Sequence, residues 1–151
     1  MDMTHTQLFN IRPQVKQRPR MTRRGRAYTP KKTHDFEQAV RDEYDGPLYQ
    51  DDDQLVVSLV FDTDCFLLCI DFAEDTDAYN RFWDDLRLVR NVHMRSGDCD
   101  NHIKAVMDGL QSQKETDKRS YQAGAFDNDK AVFGVQACFA TINPEDYGLA
   151  V

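Results

Sequence analysis

"GDCDNHIKAVMDG", residues 97–109, decides how the chain is read. Ile103, Val106, Met107 and Leu110 fall at the i, i+3, i+4, i+7 positions of one helical face. The spacing predicts a helix over residues 99–111. Asp98 and Asp100 stand where that helix begins. One aspartate suits a helix start, because its oxygen accepts unpaired N–H groups and its charge complements the dipole. A second carboxylate two positions away exceeds what capping needs. Clustered carboxylates are the ligands that a hard cation such as Mg²⁺ takes.

Outward from this helix the pattern alternates. "QLVVSLVF", residues 54–61, is apolar and β-branched and reads as a strand. "CFLLCIDF", residues 65–72, reads as a second. "KAVFGVQACFATI", residues 130–142, reads as a long strand, with Gly134 marking a bulge. "TQLFNI", residues 6–11, alternates weakly and reads as the first strand. In "KTHDFEQAVRDEYD", residues 32–45, Phe36, Ala39, Val40 and Tyr44 recur at helical spacing, with Thr33 as the expected cap. Gly46 and Pro47 end that helix. "EDTDAYNRFWDDL", residues 74–86, reads as an acidic helix, and "LRLVRNVHM", residues 86–94, as a strand. "QSQKETDKRSYQAG", residues 111–124, reads as a polar loop. The order predicts an α/β fold, one domain over residues 1–151, with a mixed sheet and helices packed mainly on one face.

The composition suits a folded chain: 40% of the 151 residues are hydrophobic and 30% charged. No apolar run approaches the ~18 residues that span a bilayer. The first residues lack the charged and apolar blocks of a signal peptide, which predicts a cytoplasmic protein with no membrane partner. In that compartment Cys65, Cys69, Cys99 and Cys138 are expected as reduced packing residues. Cys65 and Cys69 lie in an apolar segment without a second cysteine pair, so zinc is disfavoured.

The net charge of −7 conceals a segregation. Residues 1–34 carry nine Lys/Arg and one acid, Asp2, whereas the remaining 117 carry 10 basic and 25 acidic side chains. A basic arm beside an acidic body is what phosphate binding asks for. The arm, residues 12–32, is interleaved with Pro13, Pro19, Met21, Gly25, Tyr28 and Pro30, which predicts a shaped loop rather than a solvated tail.

"AGAFDNDKAV", residues 123–132, places Asp127 and Asp129 just before the last strand. If that strand lies beside the 99–111 helix, carboxylates from both segments can converge on one cation. Lys104 follows Asp100 by one helical turn, where it can meet a phosphate or pair with Asp100 or Asp108. A calcium loop is excluded because "DCDNHIKAVMDG" lacks the required Gly and terminal Glu. His93 and His102 have no evident partner for nucleophilic catalysis, and no Walker loop or GxGxxG is present.

Three blocks together, "KQRPRMTRRGRAYTPKKTHDFEQAV" (16–40), "GDCDNHIKAVMDGL" (97–110) and "AGAFDNDKAV" (123–132), resemble the RusA family of Holliday junction resolvases of phages and prophages. The resemblance implies a RusA-like fold and a homodimeric, Mg²⁺-dependent endonuclease, with Mn²⁺ as a substitute, that cuts four-way DNA junctions in a bacterial host cell. It places the catalytic metal ligands on Asp98, Asp100 and Asp129, and the catalytic lysine on Lys104. It favours Asp129 over Asp127, although Asn128 stands where an acid is common. Lys16, Arg18, Arg20, Arg23, Arg24, Arg26, Tyr28, Lys31 and Lys32 become the DNA-binding set, joined by Arg95. The acidic segment within about 62–94 reads as an insertion that faces away from DNA or restricts where DNA can lie. A non-catalytic branched-DNA-binding accessory of a phage would keep the arm but need no carboxylate cluster. A structural protein would use the acids as caps alone.

Overall fold

The structure, a computed structural model, describes residues 4–15, 20–28, 30–73 and 99–147. The expected acidic helix at 74–86 and the expected strand at 86–94 lie outside these residues.

Strand β4 (Leu55–Phe61) organises the rest, because all seven of its residues are buried. A strand covered on both faces is apolar almost throughout, which is why its sequence reads as a run rather than an alternation; the exception, Ser58, accepts a hydrogen bond from the Gln136 side-chain amide (2.8 Å). Its flank on one side is β5 (Phe66–Phe72), antiparallel, and beyond that β1 (His5–Phe9), also antiparallel. On the other side lies β6 (Val132–Phe139), parallel to β4. The sheet order is β1-β5-β4-β6, and it is mixed, as expected. Leu55 pairs with Val132 and Val56 with Gly134, so Phe133 is the extra residue of a bulge beside the glycine.

Helices α1 (Lys31–Glu43) and α2 (Cys99–Leu110) cover one face. Leu55, Val57, Leu59 and Phe61 of β4 join Phe36 and Val40 of α1 and Ala105, Val106 and Leu110 of α2 in the main core. The opposite face holds a smaller cluster of Val60, Leu67, Cys69 and Ala140. Burial of each large apolar side chain contributes roughly 1.5–3 kcal/mol, so the helical face carries most of the stabilisation. The helices cross closely at Gly109, where a Cβ would stand 2.8 Å from the Val40 Cβ. Arg41, buried in α1, fastens the far end of α2: its Nε donates to the Gln111 carbonyl (2.9 Å) and its Nη2 to that of Asp108 (3.2 Å). These carbonyls belong to the unpaired end of a helix, where a cation is favoured.

Several boundaries differ from the sequence reading. Helix α1 begins at Lys31, after Pro30 as cap residue, so Lys31 and Lys32 belong to the helix and not to the arm. Thr33 is therefore not the cap: it is buried in the first turn, its N–H donating to the Pro30 carbonyl at 3.0 Å. The last strand is shorter than 130–142, because Asp129–Ala131 forms a 3-10 turn capped by Asn128, whose side chain accepts from the Lys130 N–H. The arm itself contains a ribbon, β2 (Arg20–Met21) paired antiparallel with β3 (Ala27–Tyr28).

Candidate functional site

The ribbon is closed by a defined turn. The Gly25 N–H donates to the Thr22 carbonyl (3.0 Å), the Thr22 N–H to the Arg26 carbonyl (2.8 Å), and the Arg26 N–H to the Thr22 hydroxyl (3.1 Å). Gly25 has φ 80°, the left-handed region that a side chain disfavours. This is a type I turn closed by a left-handed residue, a common three-residue hairpin loop. It displays Arg23, Arg24 and Arg26, all exposed. Arg20 lies in β2 and Tyr28 in β3. Lys16, Arg18 and Arg95 lie outside the described residues.

Lys31 and Lys32 are exposed in the first turn of α1, which holds no acid. The start of a helix carries partial positive charge, so these lysines add to a field already favourable to phosphate. They line an open cleft of about 390 Å³ with Ile11, Gln14 and Asp35.

The acidic positions separate into two places. Asp98 lies outside the described residues; Asp100 stands in the first turn of α2. That turn is fixed by His102, which is 2% exposed and packs edge-on to Phe139 (5.2 Å between ring centres) and against Phe61 (5.5 Å). Phe61 ends β4 and Phe139 ends β6, so α2 begins at the C-terminal ends of these strands. Lys104 is exposed one turn further along α2.

At the other end of α2 the Ala125 N–H donates to the Leu110 carbonyl (2.7 Å) and the Ser112 N–H to the Phe126 carbonyl (2.9 Å). Residues 127–131 then lead into the start of β6. Helix α2 and β6 are neighbours, as the sequence reading required, but they run in opposite directions. From Asp100 to Leu110 the axis advances about 15 Å. Within one chain, Asp129 and the start of α2 are therefore at opposite ends of the helix, and adjacency of helix and strand does not by itself bring their carboxylates together.

Asp127 and Asp129 differ in their surroundings. The Tyr121 hydroxyl donates to Asp127 Oδ1 at 2.7 Å. Hydrogen bonds from Tyr121 and then Ser112 hold the Asp127 carboxyl below the usual range. Asp129 is exposed as the first residue of the 3-10 turn. Asp127 is thus engaged by a hydrogen bond within its loop, whereas Asp129 is exposed at the head of the turn. The sequence alone does not single out Tyr121; its signal is a tyrosine six residues before Asp127 in an otherwise polar loop.

Among the described side chains, Cys69 is buried and Cys65 and Cys138 are partly buried. Cys65, Cys69 and Cys138 are free thiols, and burial pushes that of Cys69 up to about 12. Among the described residues no three His, Cys, Asp or Glu side chains group as potential metal ligands, and no helix is long and apolar enough to cross a membrane.

The family model described as endodeoxyribonuclease RusA matches residues 10–145, which include all three sequence blocks. No curated protein matches the chain, and no solved structure does.

Proposed function

Since the chain belongs to the RusA endodeoxyribonuclease family, whose activity is the resolution of Holliday junctions, we propose that it cuts four-way DNA junctions as a Mg²⁺-dependent homodimer. The match across residues 10–145 carries this reading. Charge segregation supports it: exposed arginines crown the ribbon, while acids mark the start of α2 and the head of β6.

The donor set fits the cation chemically. Asp98, Asp100 and Asp129 offer only carboxylate oxygens, the hard ligands that Mg²⁺ takes. The opposite placement of the α2 start and Asp129 within one chain favours a set divided between protomers. Asp98 and Asp100 of one protomer, with the partner's Asp129, would hold the ion. When bound, Mg²⁺ supplies neutralisation of the scissile phosphate and acidification of an attacking water.

The chain's own groups do the rest. Arg23, Arg24 and Arg26 on the ribbon, and Lys31 and Lys32 at the start of α1, hold flanking phosphates. Lys16, Arg18, Arg20, Tyr28 and Arg95 complete the proposed DNA contacts. Such contacts position DNA without reading bases, so junction shape dominates recognition. Lys104, one turn from Asp100, stabilises the charge that builds on the phosphate in the transition state. A two-fold dimer presents two equivalent sites to a junction of approximate two-fold symmetry, which permits paired cuts.

The test is cleavage of a synthetic four-way junction. Paired nicks with Mg²⁺, and none with EDTA, are expected. Junction binding without cleavage under any divalent ion would return the chain to a non-catalytic binding role.

A further inference from the structure

Phosphate binding explains the arginines of the ribbon but not Met21. This side chain is 64% exposed on β2, beside the turn that carries Arg23, Arg24 and Arg26. Across the ribbon its partner is Ala27. Two-residue strands form no core for a methionine to join. A polar residue would serve a phosphate clamp equally well at this position.

The surroundings identify what such a side chain would meet. Between Asp2 and Asp35 the sequence has no acidic residue, so the ribbon's complement is polyanionic. Three hydrogen bonds and the left-handed Gly25 give the turn a defined shape. An exposed apolar side chain beside cations at a hydrogen-bonded turn is an arrangement that can enter a nucleic-acid base stack. Methionine is one of the residues that wedge between base steps, and its flexible, polarisable thioether adapts to an aromatic face. Insertion into a continuous duplex must unstack a base step. Where stacking is already interrupted, as at a branch point, the cost is least.

We propose that Met21 is a wedge that enters the stack at the crossover of a branched DNA, while Arg23, Arg24 and Arg26 neutralise the phosphates converging there. The ribbon then favours branched over linear DNA through the difference in unstacking cost. This rests on the reading of the chain as a junction enzyme, and it adds the residue that senses the branch.

The experiment uses a synthetic four-way junction with 2-aminopurine beside the crossover, a linear duplex with the same label, and EDTA to prevent cleavage. The unmodified protein should raise the junction's emission several-fold and the duplex's little. Met21→Ala should lose most of that rise while keeping the salt dependence of binding, since every phosphate-binding cation is retained. Met21→Leu should restore it, because leucine also wedges. Thermal melting of both variants should match the unmodified protein. Junction binding with equal emission from Met21→Ala and the unmodified chain overturns the wedge alone. An unmodified protein that binds no junction overturns the functional reading and the wedge with it.

Discussion

The two ends of α2 are built differently. The last turn is closed by the chain itself: Arg41 takes the Asp108 and Gln111 carbonyls, and the Ala125 N–H takes that of Leu110. Hydrogen bonds from a charged group contribute about 1.5–3 kcal/mol each, so this end is a point of stability. The first turn is held by ring packing, with His102 against Phe61 and Phe139, and carries Asp100 at the helix start. There the dipole favours carboxylates whether or not a cation is near. A closed end resists change, whereas the start places an acidic residue at the positive end of the dipole. The chain places its other acids, Asp127 and Asp129, beyond the closed end.

The comparison breaks first at the carboxylates. Asp100 is the second residue of α2, and Asp100→Asn keeps the side chain's size while removing its charge. If it serves the helix start alone, cleavage should be unchanged. As a metal ligand, its loss should reduce junction cleavage by at least about 100-fold, comparable with removal of an electrostatic stabiliser. Asp129→Asn should match it, and Asp127→Asn should retain much of the rate. Gel-shift affinity and melting temperature should stay level in all three variants. Full activity in Asp100→Asn would leave the start of α2 with no role beyond capping.

How far these features were legible in the sequence depends on what each physical signal encodes. Strand β4 was legible because burial on both faces demands a near-continuous apolar run, here six of seven residues. Helix α2 was legible from its period, and the bulge at Phe133 from Gly134. Periodicity carries no direction, so nothing in residues 99–142 announced that α2 and β6 run oppositely. The ribbon was hidden because two pairs of residues hold no hydrophobic pattern; Gly25 was its one signal. Thr33 resembled a cap, but Pro30 had already fixed the backbone (φ −56°, ψ 145°) where the helix begins. The Tyr121 hydrogen bond to Asp127 was not legible, because it depends on how the loop folds back.

A smaller effect distinguishes the ribbon from the rest of the surface. Arg23→Ala with Arg24→Ala should weaken junction binding and flatten its dependence on salt. For each phosphate that is no longer neutralised, the log–log slope should fall by about 0.9 on duplex arms. An unchanged slope, measured by titration across salt concentrations, would show that the turn does not touch phosphate.

The smallest expected effect concerns the loop beyond the closed end of α2. Tyr121 holds the Asp127 carboxyl below its usual range. A depressed carboxyl adds stability above the unfolded pKa, and this is lost as pH falls through the folded value. Tyr121→Phe should move the Asp127 titration up towards the ordinary value of about 3.9 and reduce the share of acid sensitivity that arises there. NMR titration of the Asp127 carboxyl measures it; an unmoved midpoint would mean the hydroxyl does not hold the carboxylate in solution.

Subunit mixing tests the division of the metal ligands most directly. Asp100→Asn and Asp129→Asn, each inactive alone, are co-expressed with different tags so that the mixed dimer can form. If each site joins the α2 start of one protomer to the partner's Asp129, the mixed dimer has one intact site and one doubly damaged site. Random pairing should then recover about a quarter of the unmodified nicking rate. The purified mixed dimer should nick the junction without completing paired cuts. If each site is formed within one protomer, both sites of the mixed dimer are damaged and no activity returns, which would contradict a shared site.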